Sequence, residues 1–533
     1  MLDMRRLWHR TMRAFRTFLA VGAATTLLAA GIVPASGSAP GPALGGAVGD
    51  AAASSSCAVN VPLLVVGGTP AGVAAAVAAA RMGNPVLMTE ARPYFGGDLT
   101  GPMLNMFDMD FGPGGIHLSR GVFLDIFSQL GLTFDVELAK MVFLQEVRKE
   151  PAITFRLQTK PVQVLMHDRH IAGVVFKDLQ AHTRFTVCAK RVIDATDDGD
   201  VAAMAGVPYY LGREGSGLDR AMMTATLVFE VDGVNWRDVV TYVTSKPRPR
   251  SGHPHGGVYR GNIWGFSEIM REYRPVEPGT GIYDLNLGRQ VNGTVLINGL
   301  LLYGVDGTDP ASVADGMRRG RAELVPLMQY LRTRIPGFQN ADLAKTADYL
   351  YIRETRHIHG LYTLTVHDIV DSRVFWDAIG VASYPIDLHP YKPGEFNPYA
   401  AQRYVYTIPL RSLIPVGVDN LLVASRSISA TYEAAGSARV VPTTMEEGQA
   451  AGVAAVLSIR ARVGFPRFSQ APALVHELQE TLTTPAQGAY LLPETVAAAG
   501  GTPPVSVAPS RITTSGPTAP VRPIPHTGPA PSK

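Results

Sequence analysis

Cysteine and charge are both scarce in this chain of 533 residues. It has 2 cysteines, which excludes a disulfide-stapled scaffold, a ferredoxin-type iron–sulfur protein and a zinc site built from four cysteines. Charged residues make up 17% and hydrophobic residues 46%, against roughly 25% charged in an average soluble domain. This balance excludes a largely disordered or coiled-coil chain and leaves apolar material for about two to four compact domains.

The sequence also lacks a large excess of basic over acidic residues. Lys and Arg total 48 against 45 for Asp and Glu, a net charge of +3. The surplus cations lie at the N-terminus, where residues 1–35 hold five arginines and one aspartate. We therefore expect no nucleic-acid partner.

The N-terminus has the pattern of an export signal. The arginines precede an apolar run of 16 residues, Phe18 to Val33, and small residues follow with plausible cleavage after Ala35 or Ala39. The run is shorter than the ~20 residues of a membrane-spanning helix. Residues 1–35 are thus predicted to be the signal peptide of a secreted or extracytoplasmic protein, with an uncleaved N-terminal anchor as the alternative and no other membrane contact.

Both flanks of the expected folded region are compositionally biased. Residues 36–59 are predicted to be a flexible linker, residues 466–482 a C-terminal helix, and residues 483–533 a disordered Pro/Thr-rich tail. Cys57 is expected to be an idle thiol in the linker and Cys188 a buried inert thiol. A redox disulfide between them is judged improbable, because they lack the close spacing of dithiol sites.

The first strong motif predicts a dinucleotide site. An apolar strand over 61–66 leads into the sequence Gly-Gly-Thr-Pro-Ala-Gly of residues 67–72, then an alanine-rich helix and a second strand that ends at Glu90. Gly67 permits the tight turn, and Gly72 lets the helix pack close to the strand, with the helix N-terminus offered to a pyrophosphate. Glu90 has the spacing of the acid that binds a ribose diol, although Thr69 replaces the middle glycine of the usual pattern.

The glycine pair Gly96-Gly97, soon after Glu90, favours FAD over a nicotinamide cofactor. From here the chain resembles the bacterial FAD-dependent oxidoreductase family of the glutathione-reductase-like and fumarate-reductase-like superfamily. Segments that carry this resemblance recur in order at 59–100, 160–165, 189–206, 351–389 and 408–452.

This resemblance implies an α/β fold. It comprises a Rossmann-like FAD-binding domain assembled from residues 60–215 and 410–465, and an inserted mixed α+β substrate domain over 216–409. The cofactor-binding residues that it implies are Gly67, Thr69, Pro70, Ala71, Gly72, Glu90, Ala91, Arg92, Gly96, Gly97, Leu99, Thr100, Val162, Ala195, Thr196, Asp200, Ser425, Arg439, Thr444, Met445 and Gly448. Asp197 departs from the family pattern, which has glycine there, and a carboxylate at that turn would repel a pyrophosphate.

A helix predicted over 443–459 is placed by the resemblance with its N-terminus against the flavin ring. The helix dipole there would stabilise negative charge on the reduced flavin. An ordinary Ala/Gly packing helix is the alternative, and Gly448 and Gly452, one turn apart, would let it lie close to a neighbour.

The middle block contains no second glycine-rich βαβ unit, so a built-in NAD(P)H domain is not expected. Electrons would pass to oxygen, a quinone or a partner protein. The predicted reaction is hydride transfer between a small-molecule substrate and flavin N5. The alternative is an exported flavin-carrying binding or electron-transfer protein without independent turnover.

Arginine and histidine side chains of this block are the catalytic candidates, because arginine binds carboxylates and histidine transfers protons near neutral pH. The candidates are Arg353, His357, His359 and Arg411, with Asp387 and His389 as further possibilities. A structural role competes for each of them, including an Arg353–Glu354 ion pair. A metal is not expected, since His357 and His359 have no evident third ligand.

Overall fold

A computed structural model describes residues 57–245, 256–399 and 402–492 of the chain. The predicted signal peptide, the linker up to residue 56 and the tail beyond residue 492 lie outside the described residues. Among the described residues, no helix combines the length and apolar character needed to cross a membrane.

The strands are numbered along the chain. They are β1 Val59–Val66, β2 Val86–Thr89, β3 Ile153–Arg156, β4 Thr159–His167, β5 His170–Asp178, β6 Arg184–Asp194, β7 Tyr209–Leu211, β8 Ala225–Thr226, β9 Phe229–Asp232, β10 Gly256–Tyr259, β11 Asn262–Gly265, β12 Thr280–Gly281, β13 Leu285–Arg289, β14 Val295–Asn298, β15 Leu301–Leu302, β16 Asp342–Thr346, β17 Arg356–Ile358, β18 Ala378–Ala382, β19 Tyr406–Pro409 and β20 Leu421–Val423.

The helices follow the same convention. They are α1 Pro70–Arg81, α2 Val122–Leu130, α3 Val136–Lys149, α4 Asp200–Met204, α5 Trp236–Ser245, α6 Ser267–Met270, α7 Pro310–Arg334, α8 Val366–Val370, α9 Tyr432–Ala438, α10 Val441–Ala461, α11 Phe465–Ser469 and α12 Pro472–Thr483.

A seven-stranded sheet organises the first part of the fold. Strands β3, β2, β1 and β6 are parallel neighbours in that order. Along its first half β6 pairs antiparallel with β5, and over its last residues it pairs parallel with β20. The predicted α/β class is therefore confirmed, in a mixed sheet with a parallel part, and residues 420 onward return to the sheet begun at residue 59.

Local sequence explains the first helix of this sheet. Thr69 caps α1 through its side chain, Pro70 occupies the first turn, and the alanine-rich body is buried along almost its whole length. Small side chains let α1 and α10 lie against each other in one hydrophobic core.

A second, six-stranded sheet is antiparallel and has the strand order β10-β11-β13-β14-β9-β16. Helix α7 packs on it through Leu324, Leu327 and Leu331, and this core is built chiefly from residues between 225 and 350. Residues 351–409 were expected in the same inserted block. Many of them, including Tyr351, Leu364 and Tyr406, instead pack in the first core, because β18 and β19 lie beside α10.

The C-terminal part differs from expectation at two points. The single helix predicted over 466–482 is two helices, α11 and α12, separated by Gln470 and Ala471. The chain stays packed beyond the predicted start of the tail: Gln487 is 2% exposed and donates to the Ala78 carbonyl at 2.9 Å.

The prediction for the cysteines is wrong. Cys57 and Cys188 form a disulfide, with Cα atoms 5.7 Å apart. The partners are 131 residues apart in sequence, so no local spacing signals the pair. Parallel pairing of β1 with β6, in which Asn60 lies opposite Cys188, brings Cys57 within reach.

Candidate functional site

The turn between β1 and α1 has no room for side chains at two of its glycines. Gly67 has φ of +108°, and an added Cβ would lie 2.3 Å from the Ala195 carbonyl oxygen. A Cβ on Gly72 would lie 2.0 Å from the Gly67 carbonyl oxygen. The Oγ1 of Thr69 accepts from the Gly72 N–H at 3.1 Å and donates to the Ala195 carbonyl at 2.8 Å. Thr69, in the place of the middle glycine, thus ties the turn to the end of β6.

Glu90 lies directly after β2 and is 5% exposed. Its Oε2 accepts from the Gly68 N–H at 2.5 Å, and its Oε1 accepts from the Arg92 N–H at 2.8 Å. Burial raises the pKa of this carboxyl, against the effect of Arg92 and the two backbone donors. The side chain is therefore fixed at the edge of the sheet, and each oxygen keeps a lone pair for a ligand hydroxyl.

The second glycine pair packs on the N-terminus of α1. Gly96 and Gly97 have φ of +108° and +50°, and a Cβ on Gly97 would lie 2.9 Å from the Cδ of Pro70. The Thr100 hydroxyl donates a hydrogen bond to the Gly97 carbonyl at 3.2 Å. Leu99 is fully buried. This loop therefore covers the start of α1.

A cavity of about 310 Å³ opens beside these elements. The predicted cofactor residues that line it are Gly67, Thr69, Glu90, Ala91, Arg92, Thr196 and Asp200. Lys160 and Pro161 of β4 line it, whereas the predicted Val162 is not among the lining residues. Tyr349 also lines it, and its ring lies 5.0 Å from the guanidinium carbon of Arg92.

A charge network joins three segments at the edge of this cavity. Arg426 bonds to Asp98 at 2.9 Å and to Asp198 at 2.9 Å, and lies 3.7 Å from Asp197. Arg92 pairs with Asp197 at 3.3 Å. Burial, partly offset by Arg426, raises the pKa of Asp98 to about 7. Two guanidinium groups thus offset the carboxylates that would otherwise face a ligand phosphate.

The structure shows how aspartate can occupy position 197, where the family pattern has glycine. The left-handed residue of this turn is Gly199, with φ of +64°, so position 197 does not require glycine for its conformation. Thr196 donates its Oγ1 to Asp194 at 2.6 Å and accepts from the Asp200 N–H at 2.9 Å. The turn is held by its own side chains.

Helix α10 begins beside a buried carboxylate. Thr443 donates its Oγ1 to Asp110 at 2.8 Å, and Asp110 also accepts two backbone N–H bonds at 2.7 Å. Thr444 donates to the Val441 carbonyl at 3.1 Å within the first turn. Met445, a predicted cofactor residue, is 1% exposed and packs in the first core.

Close helix packing explains the glycines of α10. A Cβ on Gly448 would lie 2.0 Å from the Ala71 carbonyl oxygen, and one on Gly452 would lie 2.2 Å from the Ala75 carbonyl oxygen. Gly448, predicted at the cofactor, therefore fixes α10 against α1. Ser425, also predicted there, is buried just after β20.

Beside the start of α10 lies a group of charged and phenolic side chains that range from buried to partly exposed. Arg439 donates to the Tyr351 hydroxyl at 3.2 Å and to Asp387 Oδ2 at 3.0 Å. His389 Nε2 lies 3.2 Å from the same Asp387 oxygen. Arg353 lies over the Tyr351 ring at 4.3 Å. We call this set, together with Asp108 and Tyr384, the polar cluster.

Burial governs the protonation of the polar cluster. It lowers the pKa of His389 to about 4, helped by the charge of Arg353. Burial alone would raise the pKa of Asp387, but His389 and Arg439 hold it below its ordinary value. Burial, and then Asp387, raise the pKa of Asp108, which accepts from the Tyr384 hydroxyl at 2.9 Å. A neutral imidazole and an ionised Asp387 therefore coexist in the polar cluster at neutral pH.

The Arg353–Glu354 ion pair, the structural alternative for Arg353, does not form among the described contacts. Glu354 instead bonds His357 Nε2 at 2.9 Å and accepts from the Met223 N–H at 2.8 Å. Arg353 donates its Nη1 to the Thr224 carbonyl at 2.8 Å. Only Arg353 of the four catalytic candidates is thus joined to the polar cluster by a described contact.

The other two catalytic candidates have different surroundings. The ring of His359 lies 4.4 Å from that of Tyr210. Arg411 makes a two-point ion pair with the buried Asp377, at 2.8 and 3.0 Å. No group of three or more His, Cys, Asp or Glu residues is arranged for a metal ion in the part of the chain that the structure describes.

Sequence reasoning did not single out Arg426, Asp108, Tyr349 or Tyr384. Arg426 lies three residues after β20, and a charged residue near a strand end was a usable signal. Tyr349 lies three residues after β16, and no local pattern links it to the cavity.

A family model for FAD dependent oxidoreductases matches residues 62–482. No curated protein matches the chain significantly.

Several solved structures are similar at low identity. A geranylgeranyl bacteriochlorophyll reductase-like protein from Thermoplasma acidophilum is 13% identical with a TM-score of 0.40, over 83% of this chain and 87% of that one. A p-nitrophenol 4-monooxygenase from Pseudomonas putida is 12% identical with a TM-score of 0.39, over 83% and 89%. An L-proline dehydrogenase from P. horikoshii is 11% identical with a TM-score of 0.34, over 76% and 94%.

The family match covers well over half of the chain and includes the glycine-rich turn, the charge network and the polar cluster. The protein belongs to the FAD-dependent oxidoreductase family, and it is an FAD-binding enzyme of that class.

Proposed function

We propose that this enzyme catalyses hydride transfer between a small organic substrate and flavin N5, with the substrate bound at the polar cluster. The observation that carries the proposal is the position of that cluster: Arg439 lies two residues before the start of α10 and bonds both Tyr351 and Asp387. The family resemblance sets the same helix end against the flavin ring.

The residues present fit FAD. The cavity of about 310 Å³ is lined by Gly67 and Glu90, and the Gly67 position admits no Cβ. The buried Nε atoms of Arg426 and Arg439 lack a partner among the described residues. Gly67, Thr69 and Glu90 would hold the adenosine half, and the start of α10 would lie at the ring. FAD, when bound, supplies a two-electron acceptor and donor.

The chain's own residues then have separate tasks. Arg353 and Arg439 orient the substrate through charge and hydrogen bonds. His389, neutral because its pKa is lowered to about 4, takes a proton from the substrate as hydride leaves it. Asp387 Oδ2 lies 3.2 Å from His389 Nε2, so it fixes the ring and stabilises the imidazolium that forms.

The part of the chain built around the six-stranded antiparallel sheet and α7 fits the role of the substrate domain. Thr224 and Thr226, next to and within β8, contact Arg353 at 2.8 Å each. Asp284, just before β13, is close enough for Asp387 and Arg353 to affect its pKa, which burial raises. Thr224, Thr226 and Asp284 thus connect this part of the chain to the polar cluster.

Electron exchange with the outside completes the proposal. The sequence has no second glycine-rich βαβ unit, so we propose oxygen, a quinone or a partner protein as the acceptor. Export is proposed as well: the disulfide between Cys57 and Cys188 is typical of an oxidising compartment and agrees with the signal-like N-terminus.

The test uses the purified holoprotein. Flavin absorbance with about one FAD per chain is expected. After photoreduction without oxygen, addition of oxygen, a quinone, an alkene or a carbonyl compound should reoxidise the flavin with at least one of them. A flavin that no acceptor reoxidises and no organic compound reduces would favour a flavin-carrying binding protein, and reoxidation only by a co-purifying protein would favour an electron-transfer subunit.

A further inference from the structure

Arg353 is a deeply buried guanidinium without a carboxylate partner. It is 3% exposed, and no Asp or Glu oxygen lies within ion-pair distance of it among the described residues. Other arginines of the site are paired: Arg439 with Asp387 at 3.0 Å and Arg426 with Asp98 at 2.9 Å. A buried charge is costly unless it is paired, so an anionic partner for Arg353 is missing from the chain itself.

The contacts of Arg353 show which edge is available. Its Nη1 donates to the Thr224 carbonyl and to Thr226 Oγ1, both at 2.8 Å. The Tyr351 ring covers one face of the guanidinium. Nε is buried and has no partner, and within the described chain Nη2 donates no hydrogen bond. The Nε–Nη2 edge is a fork that matches the two oxygens of a carboxylate.

The neighbouring carboxylates do not take this edge. Asp387 is engaged by Arg439 and His389, and Asp108 accepts from the Tyr384 hydroxyl. Each therefore already has a partner at bonding distance. Arg439 also has an unpartnered Nε but is paired with Asp387, so Arg353 is the guanidinium of the polar cluster that has no carboxylate partner among the described residues.

We infer that the substrate carries a carboxylate, which the Nε–Nη2 edge of Arg353 binds side-on beside Tyr351. This inference rests on the proposed function, since it takes the polar cluster as the substrate site. A carboxylate bound there lies beside Tyr351, whose hydroxyl accepts from Arg439.

The test is a titration of the oxidised holoenzyme, followed by changes in flavin absorbance. The probes are three acids of increasing size, acetate, succinate and benzoate, each paired with its neutral amide. At least one acid should bind with a dissociation constant at least tenfold lower than that of its amide. Equal binding of acid and amide in every pair, or no binding by any of the three acids, overturns the inference.

Substitutions of Arg353 test whether this residue binds the acid. Arg353→Gln should raise the dissociation constant of the acid at least tenfold and leave that of the amide unchanged. Arg353→Lys keeps the charge but lacks the fork, so an intermediate loss is expected. The control is Arg318→Gln, an exposed arginine paired with Asp315 on α7, which should bind like the wild type. If Arg353→Gln does not retain flavin, wild-type acid binding by Arg353→Lys overturns the inference.

Failure of this inference differs from failure of the proposed function. A holoenzyme that binds acids through Arg353 but never exchanges electrons with any compound contradicts hydride transfer and retains the carboxylate site. A holoenzyme that turns over only substrates without a carboxylate, at a rate that Arg353→Gln leaves unchanged, retains hydride transfer and overturns the carboxylate site.

Discussion

Two largely buried arginines of the site have opposite surroundings. Arg426 is surrounded by Asp98, Asp197 and Asp198, at 2.9, 3.7 and 2.9 Å. Arg353 has hydroxyl, carbonyl and aromatic contacts only. The first arrangement neutralises charge that the chain itself supplies, whereas the second leaves charge for a ligand. We therefore propose that the same residue type serves cofactor binding at one position and substrate binding at the other.

Loss of the Arg426 charge should weaken FAD binding. Arg426→Gln leaves three carboxylates near the cavity edge with only Arg92 to offset them, and they would repel the pyrophosphate. We expect FAD to dissociate at least tenfold more readily, measured as flavin fluorescence released on dilution. Arg426→Gln combined with Asp198→Asn should recover part of the loss, because it removes one of the carboxylates. Wild-type retention by the single variant would contradict this role.

The pKa of His389 gives a prediction for the pH dependence. Its folded-state pKa is lowered to about 4, so the imidazole is neutral and able to accept a proton above about pH 5. As pH falls through about 4, the ring becomes protonated and the base is lost. We therefore expect kcat/KM for substrate oxidation to be level near neutral pH and to decline with an apparent pKa near 4.

Substitution of His389 tests whether this residue causes the decline in kcat/KM at low pH. His389→Gln should lower kcat by on the order of a hundredfold or more, as for loss of a general base, and remove the acidic limb. His167→Gln, at a site whose side chain is 83% exposed, should leave both unchanged. An unaltered limb in His389→Gln would assign the titration to another group, with Asp108 as the first alternative.

At the scale of elements, the contact between α1 and α10 fixes the relative positions of the two ends of the proposed cofactor site. Helix α1 carries the glycine-rich turn at its start, and α10 follows Arg439 of the polar cluster. Gly448 and Gly452 face the backbone of α1 at Ala71 and Ala75. The two ends of the site therefore depend on one close helix pair.

A methyl group at this contact should be destabilising. In Gly448→Ala the added Cβ would lie 2.0 Å from the Ala71 carbonyl oxygen, so the helices must separate. Overpacking of this kind costs about 1–3 kcal/mol of unfolding free energy, and flavin content should fall because Ala71 is in the first turn of α1. Chemical denaturation and the absorbance ratio of flavin to protein measure both effects.

The matched control is Gly261→Ala. There the nearest atom to an added Cβ, the Arg289 carbonyl oxygen, is 3.8 Å away, so stability and flavin content should stay close to wild type. Equal stability of the two variants would show that α10 can shift without consequence for α1.

Elements with a local signal could be predicted from sequence, and contacts between distant segments could not. The strand–turn–helix–strand over 61–90 is confirmed because periodicity and glycine position are local properties. The helix predicted over 443–459 is observed as Val441–Ala461, longer because Pro442 is well tolerated in a first turn. The ion pairs of Arg426 could not be predicted from sequence, because the carboxylates come from two other parts of the chain.

The same limit applied to the catalytic candidates. Arg353 was singled out by residue type, and its contacts join it to the polar cluster. Arg411 was singled out in the same way, but its pairing with Asp377 depends on the approach of residues 34 positions earlier. Sequence indicates which side chains have suitable chemistry, whereas only the fold shows which of them already have partners.

At the scale of the whole molecule, the disulfide closes a long covalent loop. It joins Cys57, just before β1, to Cys188 within β6, across 131 residues. The loop includes the glycine-rich turn, Glu90, α2, α3 and the antiparallel strands β4 and β5. A cross-link restricts the unfolded chain more as the loop becomes longer, so its effect falls on the part of the fold that is proposed to bind adenosine.

Removal of this bond should lower the free energy of unfolding by about 3–5 kcal/mol. Guanidinium denaturation of the FAD-loaded protein with and without dithiothreitol measures the loss. The Cys57→Ser/Cys188→Ser double variant should match the reduced wild type and show no response to the reductant. The same comparison tests export, because thiols stay reduced in the cytoplasm. Protein made in the cytoplasm without its first 35 residues should contain two free thiols and have the lower stability. Exported protein should contain no free thiol. Equal stability and free thiols in both preparations would remove the disulfide as support for an extracytoplasmic location.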